Sequence, residues 1–403
     1  MSNHGIDLNS FYFESPSYFS DPNKYYAEFL KKYPVFYNKN DNCFVISRYG
    51  DVKMAFENYS TFGSESGVLP RRNDDANHYG FDPIFMISPP KQTRLRKLAA
   101  PAFSIATSDA ASDMIREIAT EILDRIEVGG KFDLIEEYAT PLVVKSVARM
   151  IGVGQENLEE YYDLALKVIN GRDFTSNEDT SFIKEDETVM KFGKALISHF
   201  DSLKQNMIPG FADKIFNTVI DDDRLSHGEM FGMFYMAAMA GAEEAIRAFG
   251  NVLFALWENP DQKQIMLKDV DGNMKNCISE ALRVHTTTHY LRRNANQDFT
   301  LHDTDIPKGA IIVIMVAAAN RDERQFEAPE TFDLMRKNSN ASLAFGAGPH
   351  SCMGRNIARS ILKTGIKEFL DRYPNYSLDL QNSARVRRGM IFGYGHLMVA
   401  TNS

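Results

Sequence analysis

Cysteine is scarce in this chain, whose 403 residues contain only Cys43, Cys277 and Cys352. Three scattered cysteines cannot build a disulfide framework or a structural zinc site, so we expect a reducing, cytoplasmic environment. An excess of positive charge is also missing, since the net charge at pH 7 is −9. This balance argues against general nucleic-acid binding but still allows a local basic patch.

Signals for membranes, targeting and nucleotide cofactors are missing as well. The N-terminal residues have neither a basic start nor an apolar run, so we expect no signal peptide and no membrane anchor. We find no flavin or NAD fingerprint. The stretch 227–258 is apolar enough to suggest a membrane span, but charges in its middle (Glu243, Glu244 and Arg247) would be costly in lipid. We therefore predict one long buried helix in a soluble protein.

The patterns that are present predict a mainly α-helical protein with small β-sheets. No linker-like stretch divides the chain, so we expect a single domain over residues 1–403. Apolar spacing predicts helices at 51–58 and 355–373. It also predicts that the chain is mostly helical from residue 88 to about 260, with individual helices at 139–151 and 227–258. Alternation and turn residues predict a hairpin at 34–47, strands at 298–301 and 311–316 joined by a turn at 307–309, and a strand pair within 390–400.

Two segments have no regular pattern. Residues 63–86 mix Gly, Pro, Asn and Asp with the apolar run Ile84, Phe85 and Met86. A long loop with apolar groups is typical of a lid over a site, and a mobile surface loop is the alternative. Residues 170–187 are polar and poorly periodic, which predicts a flexible connection between helices.

The most informative stretch runs from Phe345 to Gly354 and reads F-G-A-G-P-H-S-C-M-G, with a predicted helix directly after it. Its glycines allow a sharp bend or a close approach to a flat group. Cys352 lies at the mouth of the helix, where the partial positive charge of the first turn lowers a thiol pKa. A thiolate in this setting is a metal ligand or a nucleophile. A buried structural thiol would also explain the cysteine taken alone.

The full pattern, F-G-x-G-x-H-x-C-x-G, resembles the haem-binding loop of the cytochrome P450 family. The resemblance implies that Cys352 is the axial thiolate on iron, that Phe345 belongs to the cofactor-binding loop, and that the cofactor is haem b (iron protoporphyrin IX). It also implies the cytochrome P450 fold, with a long central helix over the distal haem face. Glu280 and Arg283 match the family's E-x-x-R ion pair, for which a surface helix pair is the alternative.

Haem carries two propionates, which need cationic or hydrogen-bonding partners. The resemblance implies that these partners are Arg96, Arg293 and His350. The adjacent Arg292 leaves the register of the strand arginine open. Gln92 stands where many relatives have a histidine, and it can donate a hydrogen bond but carries no charge.

The long helix departs from the family at one position. Ala240-Gly-Ala-Glu243 resembles the A-G-x-[DE] stretch on the distal side, but the usual threonine is replaced by Glu244, followed by Ala245. Glu244 either faces the pocket as a proton donor or substrate contact, or the helix is shifted so that Ala245 takes the threonine's place. A third reading puts Glu243 and Glu244 in structural ion pairs with groups such as Arg247. A carboxyl in an apolar pocket has a raised pKa and could donate a proton near neutral pH.

Substrate contacts follow from family position alone. They are expected on the loop near residue 85, the long helix, the polar run T-T-T-H-Y and the C-terminal segment, at Ile84, Phe85, Met86, Ala237, Ala240, Thr287, Thr288, His289 and Phe392. The polar run suggests a substrate with hydroxyl, carbonyl or carboxylate groups. Alternatively, these side chains satisfy strand edges.

The resemblance implies a monooxygenase that activates O2 with two external electrons and hydroxylates or O-dealkylates a small, polar organic molecule or natural product. A ferredoxin and an NAD(P)H-dependent ferredoxin reductase would supply the electrons, and no nucleic acid or membrane is expected as a partner. A basic face could dock an acidic ferredoxin or be merely solvated, and it comprises Lys91, Arg94, Lys97, Arg355, Arg359 and Lys363. Glu244 leaves oxidative coupling or peroxide-driven oxidation as the alternative. A non-catalytic haem-based sensor is a further one.

Overall fold

Helices make up most of the structure, a computed structural model that describes residues 6–13, 15–65, 67, 83–127, 129–171, 187–203, 209–386 and 389–401. Most of them are amphipathic and bury one apolar stripe. The helices are α1 Pro16–Ser20, α2 Pro22–Lys31, α3 Tyr49–Glu57, α4 Lys91–Ala99, α5 Ile105–Ala110, α6 Ser112–Leu123, α7 Thr140–Met150, α8 Leu158–Gly171, α9 Glu187–Leu203, α10 Phe211–Asn217, α11 His227–Ala240, α12 Glu243–Glu258, α13 Pro260–Lys268, α14 Val270–Val284, α15 Val316–Ala319 and α16 Arg355–Arg372.

The strands are short and form three small sheets. They are β1 Val35–Asn38, β2 Cys43–Ile46, β3 Phe62–Gly63, β4 Lys131–Asp133, β5 Leu291–Ala295, β6 Phe299–Leu301, β7 Thr304–Ile306, β8 Ile311–Ile314, β9 Ser377–Arg385 and β10 Tyr394–Ala400. The largest sheet has the order β1-β2-β8-β5-β3, the second has the order β4-β10-β9, and β6 pairs with β7. The expectation of a mainly α-helical protein with small sheets is confirmed.

The helical core is built around α12, which is buried along nearly its whole length. It packs against α7, α14 and α16, and α16 in turn packs against α6 and α14. A short π-helical segment, Leu134–Ala139, leads into α7 and also contacts α12. This core fixes the N-terminus of α12 and the N-terminus of α16, which are the two places where the sequence predicted chemistry.

Several local predictions agree with the structure. The hairpin is formed by β1 and β2 in antiparallel register, and helices α3, α7 and α16 match their expected ranges within a few residues. Ser226 caps α11 with Glu229 in a capping box, each side chain bonding the other's backbone. Most of the segment 170–187 and of the expected lid at 63–86 lies outside the described residues.

The helix predicted over 227–258 is interrupted for two residues and so divides into α11 and α12, although both intervening residues keep right-handed helical φ and ψ. Gly241 and Ala242 form a turn there, with φ and ψ of −76° and −16° at Gly241 and −100° and −57° at Ala242. Glycine is a weak helix former and a common cause of such breaks. Within the described ranges, no helix is both long and apolar enough to cross a membrane.

The strands expected at 298–301 and 311–316 are β6 and β8, and the expected turn at 307–309 is present, with the Ala310 amide donating to the Pro307 carbonyl oxygen at 3.1 Å. The sequence did not predict β7, which pairs with β6 through a tight turn at His302 and Asp303, with φ of 47° and 60°. One strand prediction was wrong. The strand pair expected in 390–400 is one strand, β10, because Gly395 lies inside it where its register against β9 shifts. Glycine in a strand often marks such an irregularity and not a turn.

Candidate functional site

The loop before α16 folds back onto the C-terminal end of α3. Gly346 and Gly348 have φ of 65° and 63°, in the left-handed region that favours glycine. A Cβ on Gly348 would lie 2.4 Å from the carbonyl oxygen of Phe56, so no larger residue fits there. The loop thus depends on glycine for its shape, and that shape places Cys352 just before the first turn of α16.

Backbone groups on both sides hold Cys352 in place. Its amide donates to the Phe345 carbonyl at 2.8 Å, and the sulfur has a hydrogen bond with the Gly354 backbone. The side chain of Cys352 is accessible to solvent, but the protein atoms packed around it raise the thiol pKa and outweigh the lowering by the Gly354 backbone, and the nearby carboxylate of Glu244 adds to the rise. The sequence argument expected a lowered pKa because it counted the helix terminus but not the surrounding protein atoms or the charge of Glu244.

Two arginines and a histidine converge on this loop. Arg96 donates from Nη1 to the carbonyl oxygen of Ser351 at 2.7 Å. Burial, then the charges of Arg293 and Arg96, lower the pKa of His350 to about 4. His350 is therefore neutral near pH 7, and its Nε2 lies 3.1 Å from Ser64 Oγ. Because both arginines act on the same imidazole, they form one cluster of positive charge beside the loop.

The structure resolves which strand arginine belongs to this cluster. Neighbouring residues of β5 point to opposite faces, and Arg293, not Arg292, is the one whose charge acts on the loop histidine. The guanidinium of Arg293 lies 5.3 Å from the ring centroid of Phe56, and burial lowers its pKa to about 10. Gln92 is also buried and donates from Nε2 to the Pro349 carbonyl. Gln92 thus supports the loop backbone.

The side chains around Cys352 fit an anionic cofactor that carries a metal able to bind sulfur, as haem does. Protein atoms surround much of Arg96 and all of Arg293. Among the described residues, Glu65 is the one carboxylate whose charge is found to act on Arg293 and His350. Clustered cations with so little compensation favour binding of carboxylates such as propionates. A cysteine sulfur beside them is a suitable iron ligand.

Two glutamates begin α12 close to this loop. Glu243 is only 2% exposed, whereas Glu244 is half-buried, and its charge raises the pKa of Cys352. The Glu244 carboxylate therefore lies near the thiol, as the reading with a pocket-facing Glu244 requires. Both carboxylates are in the first turn, where the helix dipole favours negative charge. Arg247 donates to the carbonyl oxygen of Tyr394 at 2.9 Å.

The residues expected to contact substrate are spread over several elements. Ile84 and Met86 are buried in a short 3-10 turn, and Phe85 between them is half-buried. On α11, Ala237 is half-buried and Ala240 at the C-terminal end is exposed. Their roles stay predictions.

The polar run and the C-terminal segment lie side by side. Thr288 forms an antiparallel bridge with Ile391, so these two side chains share a face. Thr287, His289 and Phe392 belong to the opposite face by the same alternation. The rings of His289 and Phe392 stack at 3.5 Å between centroids with 9° between planes. The side chains of His289 and Phe392 therefore lie on the face opposite to Thr288. Ile391, which the sequence analysis did not name, shares the face of Thr288.

His289 is held from behind by tyrosines of the N-terminal helices. Its Nδ1 lies 2.5 Å from the hydroxyl of Tyr26, which lies 3.2 Å from the hydroxyl of Tyr18. Phe19 stacks on the other partner, Phe392. Tyr26 and His289 are 263 positions apart, and nothing in the sequence pairs them. This buried network fixes the paired segments that carry Thr288.

We expect His289 to make stability depend on pH. Burial, together with the charges of Arg321 and Arg385, lowers its pKa well below the ordinary value. Below about pH 6.5 the unfolded chain binds a proton there that the folded chain does not, so stability falls as pH falls. With His289→Gln, the free energy of unfolding should fall less steeply as the pH drops from about 6.5 to 5. The difference in slope should correspond to at most one bound proton. Urea unfolding across that range measures the slope, and an unchanged slope would contradict the assignment.

The E-x-x-R pair is fully buried, so the alternative of a surface helix pair is wrong. Arg283 donates from Nε and Nη2 to both carboxylate oxygens of Glu280, each at 2.8 Å. Arg336 adds a third member, with Nε 2.7 Å from Glu280 Oε1. Arg283 also donates to the carbonyl oxygens of Asn320, Pro329 and Thr331. This network ties α14 to the segment that leads into the cysteine loop.

Comparisons with known proteins point to one family. The family model described as Cytochrome P450 matches residues 260–385. Cytochrome P450 107B1 of Saccharopolyspora erythraea is 28% identical over 83% of this chain and 82% of its own length. The 6-deoxyerythronolide B hydroxylase of the same organism is 25% identical over 96% of this chain and 97% of its own length.

Solved structures show the same fold. Cytochrome P450 CYP109Q5 from Chondromyces apiculatus has a TM-score of 0.87 at 21% identity, covering 98% of this chain and 99% of its own. CYP109E1 from Bacillus megaterium, solved in complex with corticosterone, has a TM-score of 0.84 at 23% identity, covering 95% and 99%. The match of the family model, the relatives aligned along most of the chain and this shared architecture together support the cytochrome P450 family for this protein.

Proposed function

We propose that this protein uses haem b, O2 and two electrons from a ferredoxin to hydroxylate or O-dealkylate a small oxygen-bearing organic molecule or natural product. The observation that carries the proposal is the position of Cys352, at the mouth of α16 and beside the cations Arg96 and Arg293. A cytoplasmic location remains part of the proposal and rests on the scarcity of cysteine.

The site residues divide into groups that hold the cofactor and groups that handle protons. When bound, haem supplies oxygen activation, which a cysteine thiolate promotes by donating electron density. Cys352 would ligate the iron, and its hydrogen bond with the Gly354 backbone would moderate the sulfur's charge. Arg96, Arg293 and neutral His350 would bind the propionates. These residues would hold the cofactor beside Cys352.

Glu244 is the group best placed to move a proton. Its charge acts on Cys352, so its carboxyl lies within electrostatic reach of the cofactor position. It is half-buried, which limits competition from bulk water. As the acid form it would donate a proton from a carboxyl oxygen, and solvent would restore that proton afterwards. The buried Glu243 next to it is the second catalytic candidate.

The substrate class follows from Thr288 and its surroundings. The hydroxyl of Thr286 is used within the fold, since it donates to the carbonyl oxygen of Leu282 at 3.0 Å and accepts from Asn320. Thr288 is half-buried, and a substrate hydroxyl or carbonyl could bond its side chain. Among the similar proteins, one is named as a 6-deoxyerythronolide B hydroxylase and another was solved in complex with corticosterone.

A spectral titration of the haem-loaded protein tests the function. A varied compound library is added to the ferric protein, and hits are then incubated with NADPH, ferredoxin and ferredoxin reductase. We expect hits that share an oxygen-bearing scaffold and a product one oxygen atom heavier, or a demethylated one. Hits without product under electron supply would contradict the monooxygenase proposal and favour a haem-based sensor.

Replacing Glu244 tests its role in proton delivery. We expect Glu244→Gln to lower product formation by about 10²-fold or more, because the amide cannot donate an acidic proton. Substrate affinity should change much less. The measurement is product formed per NADPH consumed, and Glu244→Thr, which restores the family's usual residue, should retain coupling better than Glu244→Gln. Unchanged coupling in Glu244→Gln would exclude Glu244 from proton delivery.

Atypical chemistry stays the second candidate because of the same residue. A carboxyl in the threonine's place could also bind peroxide or leave room for oxidative coupling. Turnover with hydrogen peroxide in the absence of any ferredoxin would favour this alternative. Dependence on ferredoxin and O2 would favour the proposed reaction.

A further inference from the structure

Arg94 joins two parts of the protein that lie far apart in the sequence. Its Nε and Nη2 donate to the two carboxylate oxygens of Asp223, at 2.6 and 2.8 Å, and its Nη1 donates to Glu229 at 2.8 Å. Nη2 also donates to the carbonyl oxygen of Arg224 at 2.9 Å. Arg94 thus links α4 to the start of α11. A planar guanidinium that binds a carboxylate with two parallel hydrogen bonds fixes orientation as well as distance.

Both carboxylates belong to well-defined local structures at the start of α11. Glu229 binds Arg94 with one oxygen and accepts from the Ser226 amide with the other, at 2.8 Å, as part of the capping box. Asp223 and Ile220 exchange two backbone hydrogen bonds of 3.0 Å in a tight turn just before the cap. A displacement of the start of α11 would therefore move both acids and stretch their bonds to Arg94.

The helix that carries Arg94 is itself fixed to the cysteine loop. Arg96 donates to the carbonyl oxygen of Ser351 at 2.7 Å, and Gln92 donates to that of Pro349. One short helix therefore bonds the cysteine loop through two of its side chains and the start of α11 through a third. This makes α4 a firm support against which α11 is held.

The packing of α11 itself leaves room for a change of tilt. Phe234, in the middle of the helix, packs against Phe200 of α9 and Phe211 of α10, with ring centroids 5.6 and 6.4 Å apart. Attraction between apolar groups is not directional, so such contacts tolerate small rotations better than hydrogen bonds do. The directional bonds of Arg94 therefore contribute more to the angle of α11 than the apolar contacts of its middle.

The position of Arg94 along α11 gives it leverage. The helix joins α12 through the interruption at Gly241 and Ala242, where the angle between the two helices can change. Glu229 lies about 18 Å from Gly241 along the helix, and Ala237 lies about 6 Å from it. A swing about this point moves Glu229 about three times as far as Ala237. Arg94 thus acts on the end of α11 that moves most.

We propose that Arg94 is a positioning residue that sets the tilt of α11 and thereby the size of the ligand that fits between this helix and the cofactor. The inference rests on the proposed function, in which Ala237 and Ala240 of α11 contact the substrate. The side chains of Arg94 and Asp223 are 37% and 43% exposed, so salt screens their attraction. The preference for ligand size should therefore depend on ionic strength.

Azole ligands of two sizes test the proposal without turnover. Imidazole and the bulky azole clotrimazole are each titrated into the ferric, haem-loaded protein, and the shift of its absorption maximum gives a dissociation constant. The size preference is the ratio of the imidazole constant to the clotrimazole constant. We expect Arg94→Gln to raise this ratio about fivefold, because α11 can then tilt away from the cofactor. High salt should raise it in the wild type but not in Arg94→Gln, and Arg94→Lys should lie between the two proteins.

Lys97→Ala is the matched control on the same helix. Lys97 Nζ lies 2.5 Å from a carboxylate oxygen of Asp221, but the two side chains are 56% and 79% exposed. Its loss removes the same charge and should leave the ratio within about twofold of the wild type. Asp223→Asn should reproduce part of the Arg94→Gln effect and add little to it in the double variant, because both remove one contact.

The outcomes separate positioning from general loosening and from failure of the proposed function. A variant that only loses stability, as measured by urea unfolding, would bind both azoles more weakly and leave their ratio unchanged. An unchanged ratio in Arg94→Gln, or an equal change in Lys97→Ala, would overturn the inference. If Arg94→Gln does not retain haem, Asp223→Asn provides the same test. A haem-loaded wild type that binds neither azole would contradict the proposed function itself, and this result is read from the wild type alone.

Discussion

Arg283→Ala is expected to destabilise the protein by about 3–5 kcal/mol, because it leaves a buried carboxylate short of its partner. Glu280 and Arg283 are both fully buried, and the guanidinium satisfies three backbone carbonyls besides the carboxylate. A typical domain has only about 5–15 kcal/mol of folding free energy, so a large part of it would be lost. Urea unfolding of the haem-loaded protein measures the difference.

A surface ion pair provides the matched control. Lys32 and Glu28 are also one helical turn apart, but the lysine side chain is 58% exposed. Lys32→Ala should therefore cost no more than about 1 kcal/mol. If Arg283→Ala remained within about 1 kcal/mol of the wild type, Arg336 would have to carry the Glu280 charge unaided.

Cys352→Ala is expected to abolish product formation and to release most of the haem, because the substitution removes the atom that would ligate iron. The cations Arg96 and Arg293 would remain and could hold residual haem, but without a thiolate to promote oxygen activation. Haem content per protein chain and product formed per NADPH are the two measurements. Full retention of both would show that another residue is the ligand.

The other cysteines supply the control for this experiment. Cys43 and Cys277 are fully buried, and burial raises the pKa of Cys277 to about 12, so it stays an uncharged core residue. Cys43→Ala and Cys277→Ala should keep haem content and turnover, at a cost of some packing energy. A loss of haem in either variant without unfolding would weaken the assignment of Cys352.

Local patterns predicted the parts of the site that lie close together in the chain. Three features each involve residues within ten positions of one another, and the structure contains all of them. They are the cysteine loop, the capping box of α11 and the Glu280–Arg283 pair. The third member of the buried network, Arg336, lies 56 positions from Glu280 and was missed. Long-range pairing depends on how elements pack, and a single sequence carries little signal for it.

The same limit applies to the basic residues of α4. Arg94 and Lys97 were counted toward a face that could dock a ferredoxin or be merely solvated, because basic residues on a helix were counted without their partners. Asp221 and Asp223 lie more than a hundred positions further along and cancel them. In the polar run, family position named His289 and Phe392, but strand alternation turns both toward the tyrosines. Which face a residue occupies is decided by register, and register was not predictable here.

The turn at Gly241 and Ala242 separates two helices that pack against different parts of the protein. α12 is anchored in the core by α7, α14 and α16, whereas α11 rests mainly on α9 and α10. A tilt of α11 would change the shape of the chamber above the cofactor without disturbing the packing of α12. Glu244 would then stay in register with Cys352 while the ceiling adjusts to ligands of different size. If Glu244 is the proton donor that we propose, the fold would combine a fixed donor with an adjustable upper wall, and accepting varied substrates would not disturb the position of the donor.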